Sequence, residues 1–485
     1  MNFYSDFFII FIYFVIVFFF GFYFSKSKSS ESDFYLGKKE IHWIWLLFSL
    51  VATETSSLTF LSIPSLSYKG DYSFLQISIG YIFGRTIVAY YLLPSYFAGE
   101  RISIYEYLGE KFGKSAQRSM SLIFTVSRIL GDGIRLYVTS LPIAFLINKM
   151  GGLQLSEFEI GILALFLLSF ATIIYSVFGG FRAIVFTDSL QLCIYLLGGI
   201  FSLFLLIHLI SPIGSGFDVS KLFPTGISEK LSLFHFQFIS GDNSYFFVFA
   251  ILGGAFISIG SHGTDLMLVQ RIIASKNLKT GQKILVTSGV FVFFQFLLFL
   301  SIGTLLYIYY QGQNIAPDKV FSYFIIEKIP SPFLGLLLSA ILASAMSTLS
   351  STINSLSLTW ARDWGMDKYF SPKILSLFFG IVLFISSLIP FALNENLEKS
   401  ILEIGLTIFS YTLGPSIALF FFAKMKKNHH FPNWIVSILL FGSITILIIL
   451  AQMIKLPFTL LVPIGILIFC IGWFLSNFIA SLSRS

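Results

Sequence analysis

The chain has 485 residues, of which 56% are hydrophobic and only 11% charged, with a mean hydropathy of +0.86. No water-soluble domain of this length carries that balance, so the composition excludes soluble enzymes and points to an all-α polytopic membrane protein. Lysine and arginine outnumber aspartate and glutamate 31 to 24, but the excess falls in short loops between apolar runs, where it reads as a topology signal and not as affinity for nucleic acid.

Apolar runs long enough to cross a bilayer, for which about 20 residues suffice, lie at about 6–24, 44–67, 72–98, 119–148, 157–178, 185–210, 244–269, 284–310, 333–360, 374–392, 400–423, 434–454 and 457–478. That makes thirteen spans. Lys26 and Lys28 follow the first run instead of preceding it, and no small-residue cleavage site comes after it, so it reads as a retained span with its N-terminus outside. With that start, 20 of the positive charges fall in cytoplasmic loops and 8 in external ones. The asymmetry puts the C-terminus in the cytoplasm of a multi-pass inner (cell) membrane protein. Cys193 and Cys470 both sit within spans, as packing residues without a disulfide framework.

The spans divide the chain into an extra N-terminal span and loop (1–43), five spans (44–211), an external loop (212–243), five more spans (244–424) and two C-terminal spans (425–485). Because five is odd, the second set enters the membrane from the opposite side. Each set opens with an interrupted span: Ala52-Thr53-Glu54-Thr55-Ser56-Ser57 with Pro64 beyond it, and Gly260-Ser261-His262-Gly263-Thr264-Asp265. Paired interruptions at matching positions of two halves are the sequence mark of a transporter's binding site, since unwound backbone exposes carbonyls and helix ends supply partial charges.

Ionisable side chains inside spans carry a second signal, because even lenient insertion scales set about 2.5–3.5 kcal/mol against each at mid-helix. Glu54 stands at the first interruption. Arg128, Asp132 and Arg135 are spaced i, i+4 and i+7, so they share one helix face, and the aspartate can neutralise one of the two arginines. The arginine left over suits a substrate carboxylate, while an Arg-Asp-Arg lock between helices is an equal reading. Arg85 in the neighbouring span is a second candidate anchor or a snorkelling residue. Asp265 and Arg271 read as a conformational lock. The span 333–360 adds a row of hydroxyls: Ser344, Ser347, Thr348, Ser351 and Ser355 form one stripe, flanked by Ser350 and Asn354. Such a row suits either a helix–helix interface or a hard cation that exchanges its water shell for neutral oxygens.

Tyr175-Ser176-Val177-Phe178-Gly179-Gly180-Phe181-Arg182-Ala183 with Thr187-Asp188 and Gln191, Gly263-Thr264-Asp265 with Val269-Gln270-Arg271, and Ser347-Thr348-Leu349-Ser350-Ser351 follow one another in the right spans. Through these motifs the chain resembles the sodium/solute symporter family, which includes bacterial proline, sialic acid and sugar symporters. Leu266 departs from the family's frequent glutamine. The resemblance implies a five-plus-five inverted-repeat fold. It also implies a sodium site made of the carbonyls of Ala52, Thr55 and Ser344 with the hydroxyls of Ser347 and Thr348. In some members a second sodium uses an aspartate and three serines, which match Asp188, Ser347, Ser350 and Ser351. Glu54 matches a position that is acidic in proline symporters, and sialic acid carriers use an arginine of the span that holds Arg128 and Arg135.

The expectation is therefore a sodium-coupled secondary active symporter that imports a small organic solute by alternating access, with an organic anion suggested by the arginines. Proton coupling through Glu54 or Asp188, or a transporter-derived sensor, are the alternatives. No H-E-x-x-H, G-x-S-x-G or G-x-G-D motif supports an enzyme. No cofactor is expected beyond Na+ as coupling ion. The expected partners are Na+, a small solute and the lipid bilayer, with no nucleic acid, and the sequence leaves monomer and homo-oligomer both open.

Overall fold

The computed structural model describes residues 4–25, 31–99, 101–150, 155–212, 218–224, 226–237, 244–315, 319–393, 401–425, 431–454 and 456–482. Among them there is no strand. The helices are α1 (Tyr4–Ser25), α2 (Glu31–Leu36), α3 (Trp43–Glu54), α4 (Ser57–Lys69), α5 (Phe74–Ile87), α6 (Leu93–Phe97), α7 (Ile104–Met150), α8 (Glu157–Ile210), α9 (Phe247–Gly263), α10 (Leu266–Ile273), α11 (Leu278–Tyr309), α12 (Val320–Lys328), α13 (Phe333–Trp364), α14 (Pro372–Leu393), α15 (Ile401–Lys424), α16 (Trp434–Ile454) and α17 (Phe458–Leu482).

Two spans are bent pairs. Helices α3 and α4 meet at 61°, and α9 and α10 at 65°. At the first bend Thr55 and Ser56 adopt extended backbone, in a run of Thr, Glu and Ser whose side chains offer the backbone other hydrogen-bond partners than a helix does. At the second, Gly263 ends α9 and Asp265 caps α10 by accepting from the Met267 N–H at 3.0 Å. Both interruptions lie where the sequence placed them.

Nine described helices are long and apolar enough to cross a membrane, and eleven spans result when each bent pair counts as one. Helix α8 supplies two: at 54 residues it is about 80 Å long, more than twice the hydrocarbon thickness, and Gly180 breaks it with φ +60°. A side chain there would be strained and would meet Phe34. Helix α7, which holds the sequence span 119–148, packs among α8, α13, α14 and α15. The count among the described residues is thus nine to eleven candidate spans against the thirteen expected from sequence.

Helix α13 is the axis of the molecule: 89% of its most apolar window is buried, against 17% for α1. Around it the close packing is between small residues, because apolar surface gains little from leaving lipid and helices associate by approach of their backbones. Helices α5 and α9 cross through Gly80, Gly84 and Gly254, and a Cβ on any of them would strike the opposite backbone, at Ile251, Ala255 and Ile77 respectively. The outward faces carry large apolar side chains, among them Phe8, Phe11, Phe166, Phe170 and Ile438, which suit contact with lipid tails. Cys193 is exposed on such a face and does not join the packed interior that the sequence suggested, because its position on α8 turns away from the bundle.

Candidate functional site

The two helix breaks face one cavity of about 110 Å³. The first break contributes Thr53, Glu54 and Ser56, the second Ser258, Ser261 and Asp265, and α7 contributes Arg128 and Arg135. Aromatic rings of Phe74, Tyr81, Phe296 and Phe409 fill the wall between the polar groups. Such a chamber, mostly apolar with a few converging polar atoms, is the form that small-molecule sites take.

Its charges are paired across helices. The Arg128 guanidinium bonds Asp265 at the second break, with Nε donating at 3.1 Å, and lies 3.5 Å from Asp132. Asp132 also accepts from Arg135 at 3.1 Å and from the Thr352 hydroxyl at 2.6 Å. Both guanidinium groups lie over the Phe409 ring, 4.9 and 5.0 Å from its centroid. One spacing argument changes here: read on α7 alone, an arginine is left over, but Asp265 from another span supplies the carboxylate that the helix lacks. Arg135 nevertheless keeps a buried Nε without a partner.

Glu54 is held just as firmly. Both of its carboxylate oxygens accept from Arg85, at 2.5 and 2.6 Å, and His262 Nε2 lies 3.6 Å away. Arg85 is fully buried and donates also to Ser288 Oγ at 2.6 Å. It lines neither the cavity nor a membrane interface, and instead ties the first break to α5 and α11. His262 in turn joins Ser261 in the cavity wall through a 2.9 Å hydrogen bond. The described cavity wall therefore carries two arginines, Arg128 and Arg135, and two carboxylates, Glu54 and Asp265, and is neutral.

The oxygen-rich side lies between α3 and α13. A helix end leaves its last four carbonyls without intrahelical partners; in α3 the Thr55 N–H closes onto Val51 at 2.9 Å, and the carbonyls that follow, from Ala52 onward, belong to the open end. Thr53 and Ser351 hydroxyls meet across the gap at 3.1 Å. Ser56 and Thr348 face a void of about 10 Å³, the space of a single water-sized particle. In the hydroxyl stripe, Ser344 donates to Ile341, Thr348 to Ser344, Ser350 to Ser347 and Ser355 to Thr352, each to a carbonyl of its own helix at 2.9–3.2 Å. Ser351 is engaged by Thr53 and Arg271. Ser347 is fully buried, and its hydroxyl alone in this stripe lacks a partner. Asp188, also fully buried, accepts through Oδ2 from Ser49 at 2.7 Å and from Arg271 at 3.1 Å, while its Oδ1 has no partner.

On the side of α10 the site is closed by side chains. Gln270 donates to the Tyr35 carbonyl and to Asn354, both at 2.7 Å, and the Tyr105 hydroxyl reaches the Thr264 carbonyl at 3.3 Å. Asp265 and Arg271, read together as a lock, bond outward to Arg128 and Asp188 respectively. Several residues of the site escaped sequence reading: Ser49, Tyr81, Phe409, and Gln295, which donates to Thr55 Oγ1 at 2.9 Å. Gln295 is polar within an apolar span, a signal that could have marked it; a phenylalanine among 59 carries none.

The fold is that of known ion-coupled transporters. A Na+-coupled sialic acid symporter, solved substrate-bound in an outward-open state, superposes with a TM-score of 0.81 at 24% identity, covering 99% of this chain and 98% of that one. A nucleobase-cation-symport-1 family transporter in a closed conformation gives 0.61 at 10% identity, over 94% and 96%. Human sodium-coupled monocarboxylate transporter 2 is 25% identical over 452 residues, 88% of this chain and 69% of that protein. The sodium/sialic acid symporter of Proteus mirabilis is 27% identical over 361 residues, 73% and 70%. Residues 34–430 match the sodium:solute symporter family, which is more than half of the chain, and the protein belongs to that family.

Proposed function

We propose that this Na+-coupled symporter imports a small organic carboxylate, with Na+ seated between the carbonyls of Ala52, Thr55 and Ser344 and the hydroxyls of Ser347 and Thr348. Support for the ion seat comes from the unpartnered Ser347 hydroxyl and from the open end of α3 opposite it. The observation that carries the solute class is Arg135: it lines the cavity, shares Asp132 with Arg128, and keeps a buried Nε unsatisfied. A guanidinium edge of that kind accepts a carboxylate in a two-point grip. Two relatives named above carry monocarboxylates and sialic acid, which share that group.

The cycle follows from linkage. The two broken helices open repeats 44–211 and 244–424, and Na+ entering from outside joins a helix of one repeat to a helix of the other. A cation that binds one arrangement of the two halves better than the other shifts the population toward it. Each positive charge moved inward gains about 2.3 kcal/mol per 100 mV of membrane potential. Paired carboxylates at Glu54 and Asp188 leave proton coupling without a supporting observation. In this reading the protein lies in the inner membrane with its N-terminus outside, works without a cofactor, and carries out no covalent chemistry.

The test is a thermal-shift screen of the purified protein against organic acids, sugars and amino acids, each with and without Na+. Stabilisation by an organic acid that appears only in Na+ is the expected result. Stabilisation by a neutral sugar alone overturns the carboxylate assignment.

A further inference from the structure

The two serines that line the cavity from α9 have their hydroxyl hydrogens directed into the protein. Ser258 is buried and donates to the Tyr81 carbonyl at 3.2 Å. Ser261 has two neighbours within reach, His262 Nδ1 at 2.9 Å and the Ser258 carbonyl at 3.4 Å. Which of them it serves depends on the imidazole, whose proton can sit on either nitrogen. The other ring nitrogen, Nε2, is buried without a hydrogen-bond partner and looks toward Glu54 Oε2 at 3.6 Å. A carboxylate only accepts, so it favours the proton on the nitrogen that faces it. Arg85 already balances Glu54, and a second proton on this buried ring would be a charge without a partner. Nδ1 is then a bare lone pair, and Ser261 donates to it. In either of its two contacts the Ser261 hydrogen points away from the cavity, and its oxygen is left to accept.

We infer that α9 supplies a second solute anchor: Ser258 and Ser261 accept hydrogen bonds from the solute, His262 is the positioning residue that holds Ser261 in that sense, and the solute is an organic acid bearing a hydroxyl. Arg135, on α7, offers its unsatisfied Nε to an acceptor. The two helices therefore ask for different groups on one molecule, a carboxylate for α7 and a donor for α9. A donor can be a hydroxyl or an ammonium, and charge decides between them. Glu54 and Asp265, the carboxylates of the described wall, are held by Arg85 and Arg128. An ammonium would exchange its water shell for neutral oxygens with both of those carboxylates already paired, which costs more than one hydrogen bond returns. A hydroxyl needs only one neutral acceptor. The rest of the wall, with Phe74, Phe296, Leu406 and Phe409, suits an apolar body between the two ends.

This solute class rests on the carboxylate reading of Arg135, and the two fail separately. Binding to the purified full-length protein in saturating Na+ is measured by calorimetric titration with two matched series. One is lactate, O-methyl-lactate, propionate and alanine; the other is mandelate, O-methylmandelate, phenylacetate and phenylglycine. In at least one series the hydroxy acid is expected to bind about tenfold more tightly than the acid without the hydroxyl, as for one polar group left unpaired at the wall. It is expected to exceed the methyl ether by a similar factor, because the ether keeps the oxygen but has no hydrogen to give. Ser261→Ala is expected to lower the ratio of hydroxy acid to plain acid about fivefold or more. His262→Gln leaves no acceptor where Nδ1 stood, which frees the Ser261 hydroxyl to donate, and is expected to raise the methyl ether relative to the hydroxy acid. Loss of packing alone weakens both solutes alike and gives no such reversal. Equal affinity of hydroxy and plain acids in both series, or a preference for the amino acid, overturns this inference and leaves the carboxylate grip standing. Absence of binding by all of these acids overturns the carboxylate reading and the hydroxy acid with it. Should His262→Gln not fold, the solute series on the wild type and on Ser261→Ala decides.

Discussion

Ser347→Ala isolates the ion seat from the packing around it. The Ser347 hydroxyl makes no close hydrogen bond and has only the Asp188 carboxylate beside it, so its removal is expected to change stability in Na+-free buffer by at most about 1 kcal/mol. To a bound cation the same oxygen is one ligand among five. A hydrogen bond to a charged group is worth about 1.5–3 kcal/mol, and a ligand of that strength changes the Na+ dissociation constant by roughly 10- to 150-fold. At a Na+ concentration about 100 times the wild-type dissociation constant, binding stabilises the wild type by about 2.7 kcal/mol, and the variant by only about 0.3–1.3 kcal/mol. The assay is thermal denaturation of purified protein across a Na+ series, with Ser350→Ala as comparison, because that hydroxyl already donates to the Ser347 carbonyl. A Ser347→Ala protein with an undiminished Na+ response, or one that loses as much stability without Na+ as with it, refutes the reasoning.

Arg135→Gln should raise the KM for a carboxylate solute by roughly 10- to 100-fold, the loss of one charged hydrogen bond, while solute-free Na+ stabilisation stays as in the wild type; uptake into proteoliposomes reads the first and thermal shift the second. Glu54→Gln leaves Arg85 fully buried with its charge uncompensated, and breaking such a pair is expected to destabilise by about 3–5 kcal/mol. Glu54→Gln/Arg85→Met should recover much of that loss in the same denaturation experiment, and no recovery would argue against the pair as the cause. Gly84→Leu pushes a side chain into the Ala255 backbone where α5 crosses α9 and should destabilise by at least about 1–3 kcal/mol, whereas Gly442→Leu, at a glycine with open space around it, should not. In the loop before α9, Lys230 donates to the Tyr68 and Gly70 carbonyls at 2.7 and 3.0 Å at the end of α4, and Lys230→Met should lower stability by about 1 kcal/mol, less at high salt.

What the sequence determined by itself was everything that depends on periodicity and on the cost of polar groups in hydrocarbon. The many-spanning helical character, the two interrupted helices and the hydroxyl face of α13 are local properties, because helix length, helix breaking and facing are decided within a few turns of chain. The buried charges were likewise visible, since an arginine amid apolar residues stands out wherever it ends up. Their pairing was a different matter. Asp132 was expected to neutralise one arginine and in fact lies against both, while Arg128 also bonds Asp265, 137 positions away; Arg85 looked like an anchor, yet Glu54 and Ser288 take it; Arg271 went to Asp188. Only the tertiary structure decided these, because an ion pair is fixed by which helix faces cross at the same depth in the membrane, and no spacing within one helix records its neighbours. The same holds for Ser347. Sequence put it in a row of equivalent hydroxyls, and the packed helices singled it out by giving every other member of the row a partner.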